Sequence, residues 1–188
     1  MRWQQLFADL EAQFDAAEAV ADQAEAASRA RAEVGAVRLV ERLAGAVGAP
    51  VAVRCRGAGQ VSGLLVDVGT DWLLVDEDGS REVLIASAAV STVTGLGRQT
   101  GAADGGAVRA RLDLRRAVRA LARDRSAVQV ILRDGGMSAG TVDRVGADFF
   151  ELAQHPLEEP RRAAAVRGVL AVALDAVAVI RTATGGLG

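Results

Sequence analysis

Residues 51–71 read VAVRCRGAGQVSGLLVDVGTD and residues 128–148 read VQVILRDGGMSAGTVDRVGAD, the same pattern displaced by 77 positions. The displacement places Val51 on Val128, Val53 on Val130, Arg56 on Arg133, Gly59 on Gly136, Gly63 on Gly140, Val68 on Val145, Gly69 on Gly146 and Asp71 on Asp148, and Trp72 meets Phe149. An ungapped register over so many turn glycines marks an internal repeat. Within each copy the apolar residues alternate. In the first, Val51, Val53, Cys55, Val61, Leu65, Trp72, Leu74, Val83, Ile85, Val90 and Val93 fall in short runs that predict about five strands. Past the third strand the copies differ in length. Asp78-Gly79 signals a tight hairpin in the first, whereas residues 154–168 form a longer insertion in the second. The last strands realign, Ile85, Val90 and Val93 with Val172, Val177 and Ile180.

The segments in front of the copies read as helices. Trp3, Phe7, Leu10, Phe14, Ala17, Ala21, Ala24 and Ser28 recur at alternating spacings of four and three, a heptad stripe that starts with large aromatics and tapers to alanine. Broken near Gly35, the helix resumes through Val37, Val40, Leu43 and Val47 until Gly48 and Pro50 stop it. Residues 97–106 are Gly-rich and read as a linker. A second helix is predicted from about Ala107 to Arg125, with Val108, Leu112, Leu114, Val118 and Leu121 on its apolar side. The repeat register carries back into these helices through Arg38 with Arg115 and Arg42 with Arg119. The expected organisation is an N-terminal amphipathic helix (1–34), a helix with a five-stranded small barrel (35–96), the linker (97–106), a second helix with a second barrel (107–182) and a tail (183–188). The class is mostly β with helices, α+β.

With 51% apolar and 24% charged residues in a chain of 188, there is enough apolar surface for one or two small cores. All 22 basic residues are arginine, and lysine, asparagine and tyrosine are absent, as a GC-biased coding sequence produces. One histidine and one cysteine exclude a disulfide framework, a His/Cys metal site and any mechanism with two imidazoles. No nucleophile-base pair, cofactor loop or metal set emerges, so catalytic, cofactor-binding and metal residues are expected to be none, cofactors none, and the protein is expected not to be an enzyme. Charged residues interrupt the N-terminus where a secretory signal would be apolar, and no run approaches the roughly 20 apolar residues that span a bilayer. The expectation is a bacterial cytoplasmic protein that avoids membranes, with Cys55 a reduced thiol.

The run Val128 to Gly140, Val-x-Val-x-Leu-Arg-Asp-Gly-x4-Gly, resembles the first half of the Sm-like fold, in which the second strand leaves a Gly turn and bends at a second Gly. Leu132, Arg133, Asp134, Gly135 and Gly140 stand at those places, with Gly63 as the bend of the first copy, and Ala89 to Val93 is similar to the last strand of Hfq-type members. The resemblance covers both predicted barrels, about 110 residues of the two copies. It implies a small bent β-barrel that binds RNA. The pocket residues it would carry over are changed. The uridine-stacking aromatic falls on Asp71 and Asp148, the base-reading asparagine on Leu73 and Phe150, and the late arginine on Ala86 and Ala173. The lysine-histidine pair of Hfq-type members falls on Ser87 and Ala88, and on Leu174 and Asp175.

The net charge of −2 gives no global attraction to phosphate, but its distribution is uneven. The N-terminal segment is acidic, whereas the second helix carries Arg109, Arg111, Arg115, Arg116, Arg119, Arg123 and Arg125, the candidate nucleic-acid-binding residues. Guanidinium groups along one helix face, at Arg109, Arg116 and Arg123 or at Arg111, Arg115 and Arg119, suit a phosphate backbone. The same arginines equally suit a solvated face paired with an acidic helix of this or a neighbouring chain. Trp3, Phe7, Leu10 and Phe14 form the candidate interaction helix, packing within the chain or meeting a protein partner or second copy. Trp72 and Phe149 are assigned to the core, with Phe150 turned away from Phe149, and His155 is assigned to an insertion loop. Asp76, Glu77 and Asp78 read as an ordinary acidic hairpin. Two functions follow: a non-enzymatic, Sm-like, RNA-associated regulatory protein, or an oligomeric protein-interaction scaffold without nucleic acid.

Overall fold

The computed structural model describes residues 2–79, 81–101, 112–157 and 166–182. The chain divides into two units, residues 1–38 and 39–188. The first is the helix α1, Arg2–Ala36. The second contains α2 (Leu39–Ala44), β1 (Pro50–Cys55), β2 (Gly59–Val68), β3 (Trp72–Glu77), β4 (Arg81–Ala86), β5 (Val90–Thr94), α3 (Leu114–Asp124), β6 (Ala127–Leu132), β7 (Met137–Val145), β8 (Phe149–Gln154), β9 (Gly168–Ala173) and β10 (Val177–Thr182).

The strands form one ten-stranded antiparallel sheet in the order β5-β1-β2-β3-β4-β10-β6-β7-β8-β9. The α+β class holds. Two separate five-stranded barrels are not shown: among the described residues the halves share one open sheet, in which β4 pairs with β3 and β10, and β5 pairs with β1. The physical reason is the edge of β4, whose backbone groups are satisfied by β10 of the other half.

Three backbone hydrogen bonds recur at equivalent places in the two halves. Arg56 N–H donates to Ala89 O and Arg133 N–H to Ala176 O, both at 2.9 Å. Gly69 and Gly146 donate to the carbonyls of Trp72 and Phe149, both at 2.8 Å, and Ser87 and Leu174 donate to those of Asp71 and Asp148. The long strands bend where the turn pattern predicts. β2 pairs with β1 up to Leu64 and with β3 from Leu64 onward, and β7 changes partner at Gly140–Thr141. A Cβ at Gly63 would meet the carbonyl of Asp76, and one at Gly140 that of Ala153, so only glycine lets the strands cross this closely.

Each half has its own apolar cluster, and each cluster borrows from the other half. Ile131, Ala178 and Val179 join Val53, Val61, Leu65, Leu73 and Ile85, whereas Trp72, Leu84 and Ala86 join Val118, Val130, Phe150, Leu152 and Ile180. Trp72 is buried as expected. Phe149 is exposed, and it is Phe150, the counterpart of Leu73, that fills the core. His155 lies just past β8, outside the strands as expected, and is buried: its Nε2 lies 2.8 Å from Thr141 Oγ1 and its Nδ1 2.8 Å from Pro156 O. The beginning of the predicted linker lies against α2, with Gly101 N–H on Glu41 O at 2.8 Å and Arg42 bonded to Gly97 O.

Candidate functional site

The second helix begins at Leu114, later than its apolar periodicity predicts, because Asp113 is its N-cap: the side chain accepts the Arg116 N–H at 2.9 Å. The cap position is reinforced from the other half, where Asp71 Oδ1 accepts the Leu114 N–H at 2.7 Å. Desolvation at this part-buried bond pushes the Asp71 carboxyl above its ordinary range, opposed by the Leu114 N–H and assisted by the nearby charge of Asp113. The helix ends as Arg125 turns left-handed at φ 51°.

The seven candidate arginines separate. Arg109 and Arg111 lie outside the described residues. Arg115 is half-buried, and its Nε donates to Gly146 O at 2.7 Å, tying α3 to its own half; it is a brace. Arg116, Arg119 and Arg123 are exposed and, three and four residues apart, share one helical face. Arg125 is exposed at the C-cap.

That face borders a cleft of about 760 Å³ whose floor is Trp72, Leu74, Leu84, Leu112, Leu121 and Ile180. Glu82 and Asp124 share its rim with the three arginines. Trp72 lines the cleft and donates Nε1–H to Leu112 O at 2.8 Å, so its ring is fixed in place and buried rather than offered for base stacking. Sequence spacing puts Arg116 with Arg123 and Arg119 with Arg115, whereas the cleft brings Arg119 together with Arg116 and Arg123. Spacing alone misses the cleft, whose floor joins β3 and β4 of one half to β10 of the other.

A second recess, at the opening of α3, is lined by Asp71, Asp113, Asp148 and Asp175 with Arg115. It contains both positions at which the Sm-like pattern would place a uridine-stacking aromatic, and its carboxylates repel phosphate. Among the described residues no group of three His, Cys, Asp or Glu side chains is arranged to hold a metal ion. On α1, Phe14 is 74% exposed and Val20 and Val34 are exposed; the side chains of Trp3, Phe7 and Leu10 lie outside the described residues. Among the described residues, no helix is long and apolar enough to cross a membrane.

Fold and site together define an α+β protein with a tandem β repeat and an arginine-rimmed apolar cleft where the two copies meet. The chain matches no family model and no curated protein.

Proposed function

We propose that this is a non-enzymatic, cytoplasmic, nucleic-acid-binding protein, RNA-associated and regulatory, whose two halves are Sm-like small-barrel units. The observation that carries the reading is the alignment of Arg116, Arg119 and Arg123 along one exposed face of α3. Three guanidinium groups at these spacings present donors to successive phosphates, a contact that positions a strand without reading its bases. The acidic recess around Asp71 and Asp148 directs the polyanion away from the usual pocket and toward the helix. The test is fluorescence anisotropy of a labelled single-stranded RNA at several salt concentrations. The wild type is expected to bind with an affinity that falls with salt. Changing Arg116, Arg119 and Arg123 to alanine is expected to weaken binding and reduce the log-log salt slope by about 2, at roughly 0.7 per lost phosphate contact. Absence of binding at low salt, or a variant indistinguishable from wild type, overturns the reading.

A second reading, the oligomeric or partner-binding scaffold, is favoured by the apolar floor of the cleft and by the exposed Phe14 on α1. There the three arginines pair with carboxylates of a protein partner or second copy. The same triple variant would then change molar mass or partner binding and leave RNA out of account.

A further inference from the structure

α3 lies beside a face of the sheet that it does not fill. On β3, β4 and β10, Leu74 is opposite Leu84 and Leu84 is opposite Ile180, a row of three apolar side chains across adjacent strands. Alternation along the strands puts Trp72 on one side of this row, and Glu82 and Thr182 on the other. The facing segment changes in the same direction. Leu112, just before α3, accepts the Trp72 Nε1–H, whereas the last turn of α3 holds Arg123 and Asp124. Between these ends α3 turns Ala117 and Ala120 toward the row, positions where a leucine would close the gap. The cleft of about 760 Å³ is what those two small side chains leave open. Its volume falls among those of small-molecule sites, and it far exceeds the voids of a close-packed interior.

The rim charge narrows the class of occupant. Arg116, Arg119 and Arg123 stand over the cleft with Glu82 and Asp124, three cations against two carboxylates, a net of one positive charge. Arg116 and Arg123, seven residues apart, are separated by about 10 Å along the helix, so the cationic edge is about as long as the apolar row is wide. A neutral hydrocarbon leaves the arginines without a counterpart. A cation faces all three of them. A polyanion meets Glu82 and Asp124 and leaves the row uncovered. A single carboxylate on an apolar chain matches both the charge and the floor, and guanidinium groups bind carboxylates through paired donors.

We propose that this cleft binds a free amphipathic monoanion, an alkyl carboxylate of medium or long chain. The chain lies along Leu74, Leu84 and Ile180 toward Trp72, and the carboxylate rests at the end of the rim held by Arg119 and Arg123. The site goes beyond the nucleic-acid reading. A phosphate backbone needs only the exposed side of the arginines, whereas this ligand needs the floor as well.

The test is calorimetric titration of the full chain, freed of nucleic acid by nuclease and high salt, with hexanoate, octanoate and decanoate at neutral pH below their micelle-forming concentrations. One site per chain is expected, with affinity rising by up to about fourfold for each added methylene. Decanol is expected to bind at least about tenfold more weakly than decanoate, as a lost charge-assisted bond predicts, and decyltrimethylammonium is expected not to bind. Arg119→Ala with Arg123→Ala, both exposed, is expected to weaken decanoate by about tenfold or more while the dependence on chain length remains. Ala120→Trp fills the cleft and keeps every arginine, so it is expected to abolish decanoate binding; circular dichroism checks its fold. If that variant is misfolded, the exposed arginine pair carries the test alone. Four results overturn the proposal: no heat with decanoate, affinity that does not rise with chain length, decanol binding as tightly as decanoate, or an Arg119→Ala, Arg123→Ala protein that binds decanoate like wild type. Two more name a different occupant and overturn it equally. One is retention on anionic phospholipid vesicles without binding of free decanoate. The other is a ligand-free wild-type oligomer that Ala120→Trp splits into monomers, which would show a second copy seated in the cleft.

Discussion

Trp72 and Phe149 occupy the same place in the two halves, and one is 7% exposed while the other is 38% exposed. Both follow an Asp, both begin a third strand, and both accept a backbone hydrogen bond from the glycine three residues before. The difference lies in what comes next in space. Trp72 has Leu112 and α3 above it, and Phe149 has no equivalent among the described residues. Truncating Trp72 to alanine therefore opens a cavity and strands the Leu112 carbonyl, an expected loss of about 3–5 kcal/mol. Phe149→Ala is expected to cost about 1 kcal/mol or less in dilute protein. Urea unfolding of both variants at low concentration checks the contrast.

The bent strands make a second pair. Gly63 and Gly140 each lie so close to a neighbouring carbonyl that a methyl group has no room, yet neither has a positive φ, so the obstacle is contact and not backbone strain. Gly63→Ala and Gly140→Ala are both expected to destabilise by roughly 2 kcal/mol or more, as over-packing does in a tight interior. Equal losses in thermal unfolding would show that the two bends are equivalent.

The same glycines explain how much of the fold was legible in the sequence. The turn and bend glycines sit at fixed spacings, so a displacement of the chain against itself finds the repeat, the strands and the bends at Gly63 and Gly140. The β4–β10 contact leaves no such trace, because Leu84 and Ile180 are ordinary apolar residues far apart in the chain. Whether the halves closed separately or joined was thus open to either outcome. The site was partly legible for the same reason. Helical spacing groups Arg116 with Arg123, but only tertiary contact reveals that Arg119 joins them at the cleft, that Arg115 is engaged by Gly146 and that Asp71 caps a helix from across the sheet.

Arg181 on β10 and Glu77 on β3 form an ion pair across that contact, Nε to Oε2 at 3.5 Å, with side chains about one-fifth exposed (20% and 18%). Their repeat counterparts are Thr94 and Gln154, so the pair belongs to the inner contact alone. Glu77→Gln is expected to cost about 1–2 kcal/mol, reduced from the fully buried case by solvent screening. A double-mutant cycle with Arg181→Gln is expected to return a coupling of about 1 kcal/mol that shrinks in high salt.

Asp71 gives a dependence on acid pH whose sign is set by its raised pKa. The folded carboxyl holds its proton more tightly than the unfolded one, so the stability it contributes is greatest at low pH and is lost as pH rises through its folded pKa. Asp71→Asn keeps an acceptor for the Leu114 N–H and removes the charge. It is expected to match or exceed wild-type stability at neutral pH, with any advantage closing in acid. Asp71→Ala loses the acceptor and is expected to be less stable than either by about 1 kcal/mol. Thermal melts of the three proteins across the acid range check the order.

At the alkaline end the composition isolates one group. The chain has no lysine and no tyrosine, so between the ordinary cysteine range and the arginines the side chain that titrates is Cys55. Burial pushes its thiol up to about 11, while the charge of Arg181 pulls the other way. A cysteine exposed by unfolding ionises first, so the unfolded state sheds its proton at a lower pH and stability falls as pH rises from about 9 to about 11. The loss is expected to reach about 2–3 kcal/mol at the top of that window, two pKa units at about 1.4 kcal/mol each. Cys55→Ala is expected to flatten this slope at some cost in packing at neutral pH. In the same window native Cys55 is expected to resist a thiol reagent that modifies it rapidly in urea, and fast modification of the folded protein at pH 8 would show that the thiol is not held as the β1 core holds it.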